Sequence, residues 1–272
     1  MKRLLLTLPA LFLLSQPLLP STPAAPRPVS CDVIASEPCS RAPKEATPST
    51  YTWTTPSANS AGSMPVGGGG VGLNVWCDNE GTIRFYLSQS GTFDENNTML
   101  KLGRFMLQPF PNWAEGGFSQ TLHLDSGQMT LTQGGVTVTI WCDVFKPVVH
   151  IEVDAKQKIL PTLSYQSWRT DDQPFTQAEG QQSSWKWLAP KQADPTRCVT
   201  RRDSIIAAPS RLTFFHQNRG ETVFDYTVCD QQLDAWRDSL YNPLRNRIFG
   251  GVLTGGILTS EPQNLKTSKP HT

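Results

Sequence analysis

The sequence lacks an excess of charge of either sign. Charged residues make up 17% of the chain, and the formal net charge is +1. A nearly neutral chain has no long-range attraction for nucleic acid or for an anionic membrane surface. We therefore expect neither of these as a partner.

The sequence also lacks a hydrophobic run that could span a bilayer. The apolar stretch at residues 4–19 is short and broken by prolines, and no later run could cross about 30 Å of hydrocarbon. Lys2 and Arg3 precede this stretch and small residues follow it, an order typical of a secretory signal peptide. We predict that residues 1–25 are removed and that the protein is secreted or periplasmic. A lipid anchor on Cys31 is the less favoured alternative.

Complete catalytic motifs are missing as well. The glycine run at residues 67–70 has no following Lys-Ser/Thr, so it is interpreted as a turn and not as a phosphate-binding loop. No serine lies in a Gly-x-Ser-x-Gly context. The chain has only 4 histidines, and those at positions 123, 150 and 216 show no metal-ligand spacing. We predict no metal and no cofactor.

Carboxylate pairs are present, but they have a simpler interpretation than catalysis. Glycoside hydrolysis needs two carboxyl groups on either side of a sugar. Glu152 and Asp154 share a strand face, and alternating surface carboxylates of this kind are common. The Asp-Glu-Asn-Asn sequence at residues 94–97 is interpreted as a turn. We therefore predict no catalytic residue.

The six cysteines suggest disulfides, because the chain is predicted to be exported. About fifteen pairings are possible. Similar Trp-Cys-Asp contexts favour one pair, and sequence proximity favours the other two; the candidates are Cys77 with Cys142, Cys31 with Cys39, and Cys198 with Cys229. An equally favoured interpretation is that Cys77 and Cys142 are buried free thiols.

The dominant pattern is alternation of apolar and polar residues with glycine turns, which predicts antiparallel strands. The 22 prolines argue against long helices. We predict an all-β fold, a large antiparallel sandwich at residues 51–256, after a Pro/Ser-rich linker at 26–50 and before a disordered tail at 257–272. Besides the meander between residues 72 and 153, the predicted elements are strands at 160–168, 212–216, 222–229 and 248–253, a long loop at 170–204, and one short helix at 230–240 with Asp230 as N-cap.

Three stretches carry a resemblance to a known family. They are MPVGGGGVGLNVW at residues 64–76, IWCDVFKPVVH at 140–150, and FHQN at 215–218 followed by NPLRNR at 242–247. The chain resembles the N-terminal part of the bacterial domain of unknown function 5703. That domain is similar to the N-terminal β-supersandwich of glycoside hydrolase family 95. One departure is the run of four glycines, where the family usually has an Asn-Gly-Asp type of turn.

The resemblance implies a β-supersandwich that is not itself catalytic. In such glycosidases a following (α/α)6 barrel supplies the catalytic carboxylates, and no helical array follows here. We expect a structural or carbohydrate-associated module without turnover of its own. Two alternatives stay open: a fragment of a glycosidase whose barrel is not part of this chain, and a stand-alone carbohydrate-binding module. The expected partners are a carbohydrate and a catalytic barrel domain.

Aromatic residues are the best candidates for sugar contacts, because their rings can pack on the apolar faces of sugars while polar neighbours bind hydroxyls. An alternative is that these rings pack the sandwich or cover a surface meant for another domain. The candidates are Trp113, Trp168, Arg169, Trp185 and Trp187.

Overall fold

The computed structural model describes residues 4–9, 49–108, 116–156, 159–176, 186, 198–255 and 257–260. Strand is the largest class of secondary structure among these residues, and the strands form two large sheets and two smaller ones. The predicted all-β, antiparallel sandwich class is confirmed.

The first large sheet has six antiparallel strands. In spatial order they are β1 (Leu4–Pro9), β10 (Val148–Ala155), β9 (Val136–Cys142), β8 (Gln128–Gln133), β7 (Ser119–His123) and β2 (Thr50–Trp53). Two glycines with positive φ, Gly134 and Gly135, make the turn between β8 and β9. From β7 to β10, each strand therefore pairs with the next strand in the sequence.

The second large sheet also has six strands, antiparallel except for the pairing of β11 with β17. In spatial order they are β17 (Ile257–Ser260), β11 (Thr162–Gln166), β6 (Gly103–Gln108), β5 (Ile83–Gln89), β4 (Val71–Cys77) and β3 (Met64–Gly68). Strict alternation in β5 buries Ile83, Phe85 and Leu87 and turns the intervening side chains outward.

A three-stranded antiparallel sheet packs against the end of this sandwich. It consists of β14 (Ser204–Ala208), β15 (Arg211–Gln217) and β16 (Ile248–Thr254), and a short pair forms from β12 (Gln173–Pro174) and β13 (Val199–Thr200). Three short helical segments complete the description: α1 (Val223–Asp230) and the 3-10 turns Ser60–Gly62 and Asp234–Ser239.

A single hydrophobic core joins the sheets. Phe85 stacks on Phe105 with 4.9 Å between ring centroids, and Tyr165 stacks on Phe214 of the third sheet at 4.4 Å. The buried Gln120 amide of β7 donates to the Val75 carbonyl of β4, 3.1 Å away, so the two large sheets also share a hydrogen bond. Each fully buried Phe, Leu or Ile side chain contributes roughly 1.5–3 kcal/mol to stability.

The four-glycine run ends β3 and forms the turn to β4, with Gly69 and Gly70 between the strands, in agreement with the predicted turn. Gly69 has φ of 55°, and a Cβ placed there would be 2.0 Å from the Lys146 carbonyl oxygen. Gly70, with φ of 82°, has open space around it. Position 69 therefore needs glycine, because the Lys146 backbone lies where a side chain would be. The glycine loop itself carries no side chains that could bind a ligand.

Three predicted strands are confirmed, and two local predictions are wrong. Residues 222–229 were predicted as a strand, but they contain the N-cap and most of the helix α1. Thr222 is its N-cap, and the Asp225 carboxylate accepts from the Thr222 backbone N–H at 2.9 Å. This capping box stabilises a helix where the weak alternation of apolar and polar residues had indicated a strand. Asp230 ends α1 instead of capping a helix, and the predicted helix is reduced to the turn Asp234–Ser239.

No disulfide forms among the four described cysteines, so the candidate bonds Cys77–Cys142 and Cys198–Cys229 are corrected. The equally favoured interpretation of Cys77 and Cys142 as buried free thiols is confirmed. Cys142 lies beside Gly68, which pairs with Val71 at the opposite end of β4 from Cys77. Six residues of strand span about 20 Å, whereas a disulfide needs Cα atoms within about 7 Å. Burial raises the pKa of the Cys77 and Cys142 thiols to about 12. Cys198 is buried and Cys229 exposed; Cys31 and Cys39 lie outside the described residues.

The predicted domain boundaries stay predictions, and described strands fall inside two of the predicted irregular segments. Residues 257–260 form β17, so the tail predicted from residue 257 begins too early. The loop predicted at 170–204 contains β12 and β13 and the first residue of β14. Strand β1 falls inside the predicted signal peptide and pairs with β10 at the sheet edge; removal of this peptide stays a prediction. Within the described ranges, no helix is long and apolar enough to cross a membrane.

Candidate functional site

The outer face of the second large sheet carries a cluster of aromatic rings centred on Tyr86. The ring of Trp76 on β4 is tilted against Tyr86 on β5, with 5.2 Å between centroids. Trp168, two residues after β11, meets Tyr86 edge-on at 6.0 Å and 87°. Trp76 is buried, whereas Trp168 is 41% exposed. The cluster therefore presents one ring to solvent, supported by two rings behind it.

Cationic groups lie against these rings. The Lys101 ammonium is 4.3 Å from the centroid of Tyr86, and the Arg169 guanidinium carbon is 5.3 Å from that of Trp168. Both distances are within the range of cation–π attraction. Because the side chain of Lys101 is exposed, it can also donate hydrogen bonds to a ligand on the same face.

Polar side chains continue the face across the sheet. The strand register places Asn74, Tyr86, Arg104 and Gln166 in one row on four adjacent strands. The Arg104 Nε donates to the Gln166 Oε1 at 2.6 Å, which fixes both side chains. We call the following residues the aromatic face: Asn74, Trp76, Tyr86, Lys101, Arg104, Gln166 and Trp168.

The position of Trp168 is fixed by the residues on either side of it. Ser167 donates from its hydroxyl to the Asp203 carboxylate, and Arg169 forms an ion pair with the same carboxylate at 2.9 Å. Arg169 also donates from Nη2 to the Lys101 carbonyl at 2.7 Å. The buried Arg169 guanidinium thus links the two chain segments that contain Trp168 and Lys101 and fixes both beside the aromatic face.

The ion pair belongs to a larger group, the buried ionic cluster, which consists of Glu95, Arg169, Arg201, Asp203 and His216. His216 on β15 contacts a carboxylate at each ring nitrogen: Asp203 at 3.0 Å from Nδ1 and Glu95 at 3.8 Å from Nε2. Arg201 Nε lies 3.6 Å from the other Glu95 oxygen. The Glu95 and His216 side chains are each 1% exposed.

The charges in this cluster determine its protonation. Burial opposes the charged form of His216, but the hydrogen bond to Asp203 and the nearby Glu95 carboxylate outweigh it, so the pKa of His216 is raised. Burial also opposes ionised Asp203, yet the bonds from His216 and Arg169 lower its pKa. The arrangement favours an imidazolium between two carboxylates.

Glu95 reaches this cluster through a tight turn. The Asp94 carboxylate accepts from the backbone N–H groups of Asn96 and Thr98, at 2.9 and 2.8 Å, and burial raises the pKa of Asp94. The sequence predicted this turn, but it did not predict that Asp94, Glu95 and Asn96 are all buried. The alternation of apolar and polar residues does not show whether a turn is covered by another element. Here α1 covers the turn, and its Val223 N–H donates to the Glu95 carbonyl.

The structure brings two of the five predicted sugar-contact residues together. Trp168 lies on the aromatic face and is 41% exposed. Arg169 is 5% exposed, and its guanidinium is occupied by the Asp203 carboxylate and the Lys101 carbonyl. Trp113, Trp185 and Trp187 lie outside the described residues.

Sequence reasoning missed Tyr86 and Lys101. The signal for Tyr86 was its outward position in the alternation of β5; nothing local in the sequence distinguishes Lys101. The seven described residues that define the face include amide and cationic groups and no carboxylate. Among the described residues, no group of three or more His, Cys, Asp or Glu could hold a metal ion.

Comparison with known proteins identifies a family. The sequence profile of the N-terminal part of a domain of unknown function, DUF5703, matches residues 52–269. No curated protein matches the chain. Because the profile covers most of the sequence, the chain belongs to the DUF5703 N-terminal domain family.

Proposed function

We propose that this member of the DUF5703 N-terminal domain family is an exported, carbohydrate-associated β-sandwich without turnover of its own. Its sugar contacts lie on the aromatic face. The observation that carries the proposal is the exposed ring of Trp168, held between Tyr86 and the buried Arg169.

A ring fixed in this way suits sugar recognition. The apolar C–H face of a pyranose packs on an aromatic ring, and little side-chain entropy is lost when the ring is already immobilised. Lys101 and Asn74 are exposed next to the rings and can bond sugar hydroxyls. The resemblance to the non-catalytic domain of glycoside hydrolase family 95 supports the same class of ligand.

The absence of turnover is also part of the proposal. A glycosidase places two carboxyl groups about 5 Å or 6.5–9.5 Å apart on either side of a sugar. The two carboxylates on either side of His216 are enclosed, with side-chain exposures of 1% for Glu95 and 3% for Asp203. A polysaccharide has no access to them.

The test is affinity electrophoresis of the mature protein in gels that contain a panel of plant and bacterial polysaccharides. We expect retardation by at least one polysaccharide, and a loss of roughly tenfold or more in affinity for Trp168→Ala. Trp236→Ala is the matched control, because Trp236 is 64% exposed on the 3-10 turn and is not a residue of the aromatic face. Retardation unchanged by Trp168→Ala, or release of reducing sugar by the wild-type protein, would overturn the proposal.

A second candidate function is the docking of a catalytic domain, such as an (α/α)6 barrel. The supporting observation is an apolar surface beside the 3-10 turn, where Trp236, Leu240 and Tyr241 are 64%, 40% and 79% exposed. Exposed aromatic groups of this kind often mark protein interfaces. We expect concentration-dependent self-association of the purified chain, reduced by Trp236→Ser with Tyr241→Ser. A strictly monomeric wild-type protein in sedimentation experiments would contradict this candidate.

A further inference from the structure

The aromatic face carries a local excess of positive charge, although the whole chain has a formal net charge of only +1. Two of its defining residues, Lys101 and Arg104, are cationic. Among the residues that the structure describes, neither has a carboxylate within 4.0 Å. Elsewhere on the surface, arginines such as Arg201 and Arg237 are paired with aspartates. The charge of the aromatic face is therefore not compensated by the neighbouring side chains.

Both cations lie beside the same aromatic ring. The Lys101 ammonium is 4.3 Å from the centroid of Tyr86. Arg104 is directly opposite Tyr86 in the pairing of β5 with β6, and side chains in such positions have Cβ atoms about 4.5–5.5 Å apart. Two like charges on either side of one ring repel each other, and a bound anion offsets that repulsion.

The two cations are fixed by neutral partners. Arg104 donates from both Nε and Nη2 to the Gln166 amide oxygen, and Gln166 is only 8% exposed. The Lys101 carbonyl accepts from Arg169 Nη2 at 2.7 Å, and the N–H of the next residue, Leu102, donates to the Leu87 carbonyl at 2.8 Å. These bonds restrict both segments and leave the two positive charges in place. Little order therefore has to be gained when a ligand binds.

The carboxylate nearest along this side of the sheet already has its partners. Arg84 lies on the same side of β5 as Tyr86, and its Nε is 2.6 Å from Asp78 Oδ2. The other oxygen, Oδ1, accepts from the N–H groups of Glu80 and Thr82 at 3.0 and 2.8 Å. Asp78 therefore compensates Arg84 and leaves Lys101 and Arg104 without an anion.

We propose that the aromatic face binds an acidic glycan, in which a sugar ring packs on Trp168 and Lys101 and Arg104 bind a carboxylate or sulfate group. This inference rests on the proposed carbohydrate function and adds the chemical class of the ligand. Trp168 meets the Tyr86 ring at 6.0 Å, so the ring and both cations can contact the same sugar unit or two adjacent units. An aromatic ring accepts neutral and acidic sugars alike, whereas charge-assisted hydrogen bonds favour the acidic ones.

The test is isothermal titration of the mature protein with two matched pairs of oligosaccharides. One pair is oligogalacturonate and its methyl ester, which has the same sugar rings without the charge. The other is a sulfated galactan oligosaccharide and its desulfated form. We expect the acidic member of at least one pair to bind about tenfold more tightly than the neutral member, with an affinity that falls as salt is added. The pair with the larger ratio identifies the group as carboxylate or sulfate.

Four variants localise the effect. Lys101→Gln and Arg104→Gln should each weaken binding of the acidic member by about tenfold and change binding of the neutral member much less. Trp168→Ala should weaken both members, because both pack on the ring. Lys146→Gln is the matched control: it removes the same charge from an exposed side chain in the turn between β9 and β10, on the other large sheet, and should bind like the wild type.

Unfolding curves of all variants accompany the titrations, so that a folding defect is recognised as such. Equal affinity for the acidic and neutral members, lost in Trp168→Ala, would overturn this inference and leave the carbohydrate proposal intact. Equal weakening by Lys146→Gln and Lys101→Gln would show a general charge effect and overturn it too. Binding of none of the four oligosaccharides would also overturn it, while the polysaccharide gels would still decide the carbohydrate proposal.

Discussion

Trp168 and Arg169 are neighbours in the chain, but they lie in regions of opposite character. Trp168 is 41% exposed on the aromatic face, and Arg169 is 5% exposed in the buried ionic cluster. On the face, rings and cations are held at a surface that is open to a ligand. In the cluster, charged groups of opposite sign face one another in the interior. The comparison shows that the exposed region depends on the buried one, because Arg169 fixes both Trp168 and Lys101.

The largest effect is expected when the buried ion pair is broken. Arg169→Met leaves the Asp203 carboxylate enclosed without its strongest partner, which should cost about 3–5 kcal/mol in the free energy of unfolding. Urea unfolding followed by tryptophan fluorescence measures it. The matched control is Arg84→Met, whose pair with Asp78 is more exposed, at 24% and 13%, and should cost less than about 1 kcal/mol. Equal costs for the two variants would remove the distinction between the cluster and surface ion pairs.

A smaller effect is expected from Glu95→Gln. The amide keeps the shape of the side chain but removes the negative charge that faces His216 and Arg201. The free energy of unfolding should fall by about 1–3 kcal/mol. Glu152→Gln on the outer side of β10 is the control and should stay within about 0.5 kcal/mol of the wild type. A stability equal to that of the wild type would mean that Glu95 contributes nothing to the cluster.

The pH dependence follows from the raised pKa of His216. Its folded-state pKa lies above the unfolded value of 6.5, so its stabilisation is complete below that pH and is lost as the pH rises through the folded pKa. The lowered pKa of Asp203 acts in the opposite direction: its stabilisation is present above 3.8 and is lost as the pH falls through the folded pKa.

Unfolding free energies measured from weakly acidic to alkaline pH test the predicted direction of the His216 contribution. The wild type should lose stability relative to His216→Gln as the pH rises, and His123→Gln should keep the wild-type dependence. A difference between wild type and His216→Gln that is constant with pH would contradict the imidazolium assignment.

The smallest effect is expected on the aromatic face itself. Lys101→Met removes the cation over Tyr86, an exposed contact worth about 0.5–1 kcal/mol. Thermal unfolding should register at most that loss, because the surrounding rings remain packed. A loss of stability as large as that of Arg169→Met would show that the aromatic face is needed for folding and is not a free ligand surface.

The sequence predicted the sheets well, because alternation and glycine turns are local signals. Strands β5, β9 and β10 follow strict alternation, and each was predicted within a few residues. Helix α1 was missed, since its capping box with Asp225 in place of Glu is a weaker signal than the apparent alternation. The sequence left a Cys77–Cys142 disulfide and buried free thiols equally favoured, because similar sequence around two cysteines does not show which ends of the strands meet.

The site could be predicted only in part. Trp168 was selected as an aromatic residue beside a charge, whereas the burial of its neighbour Arg169 could not be predicted, because it depends on Asp203, 34 residues away. The buried ionic cluster joins residues from position 95 to position 216, and no local pattern predicts such convergence. Tyr86 was visible as an outward position, whereas its ring partners came from other strands.

The most direct test of the central claim is oxidative footprinting of tryptophan with N-bromosuccinimide, read by mass spectrometry, with and without the polysaccharide that retards the protein. Trp168 and Trp236 are both exposed and should both be oxidised in the free protein. With saturating polysaccharide we predict that Trp168 is protected and that Trp236 reacts as before. Oxidation of Trp168 at an unchanged rate in the bound state would contradict the assignment of the aromatic face as the carbohydrate site.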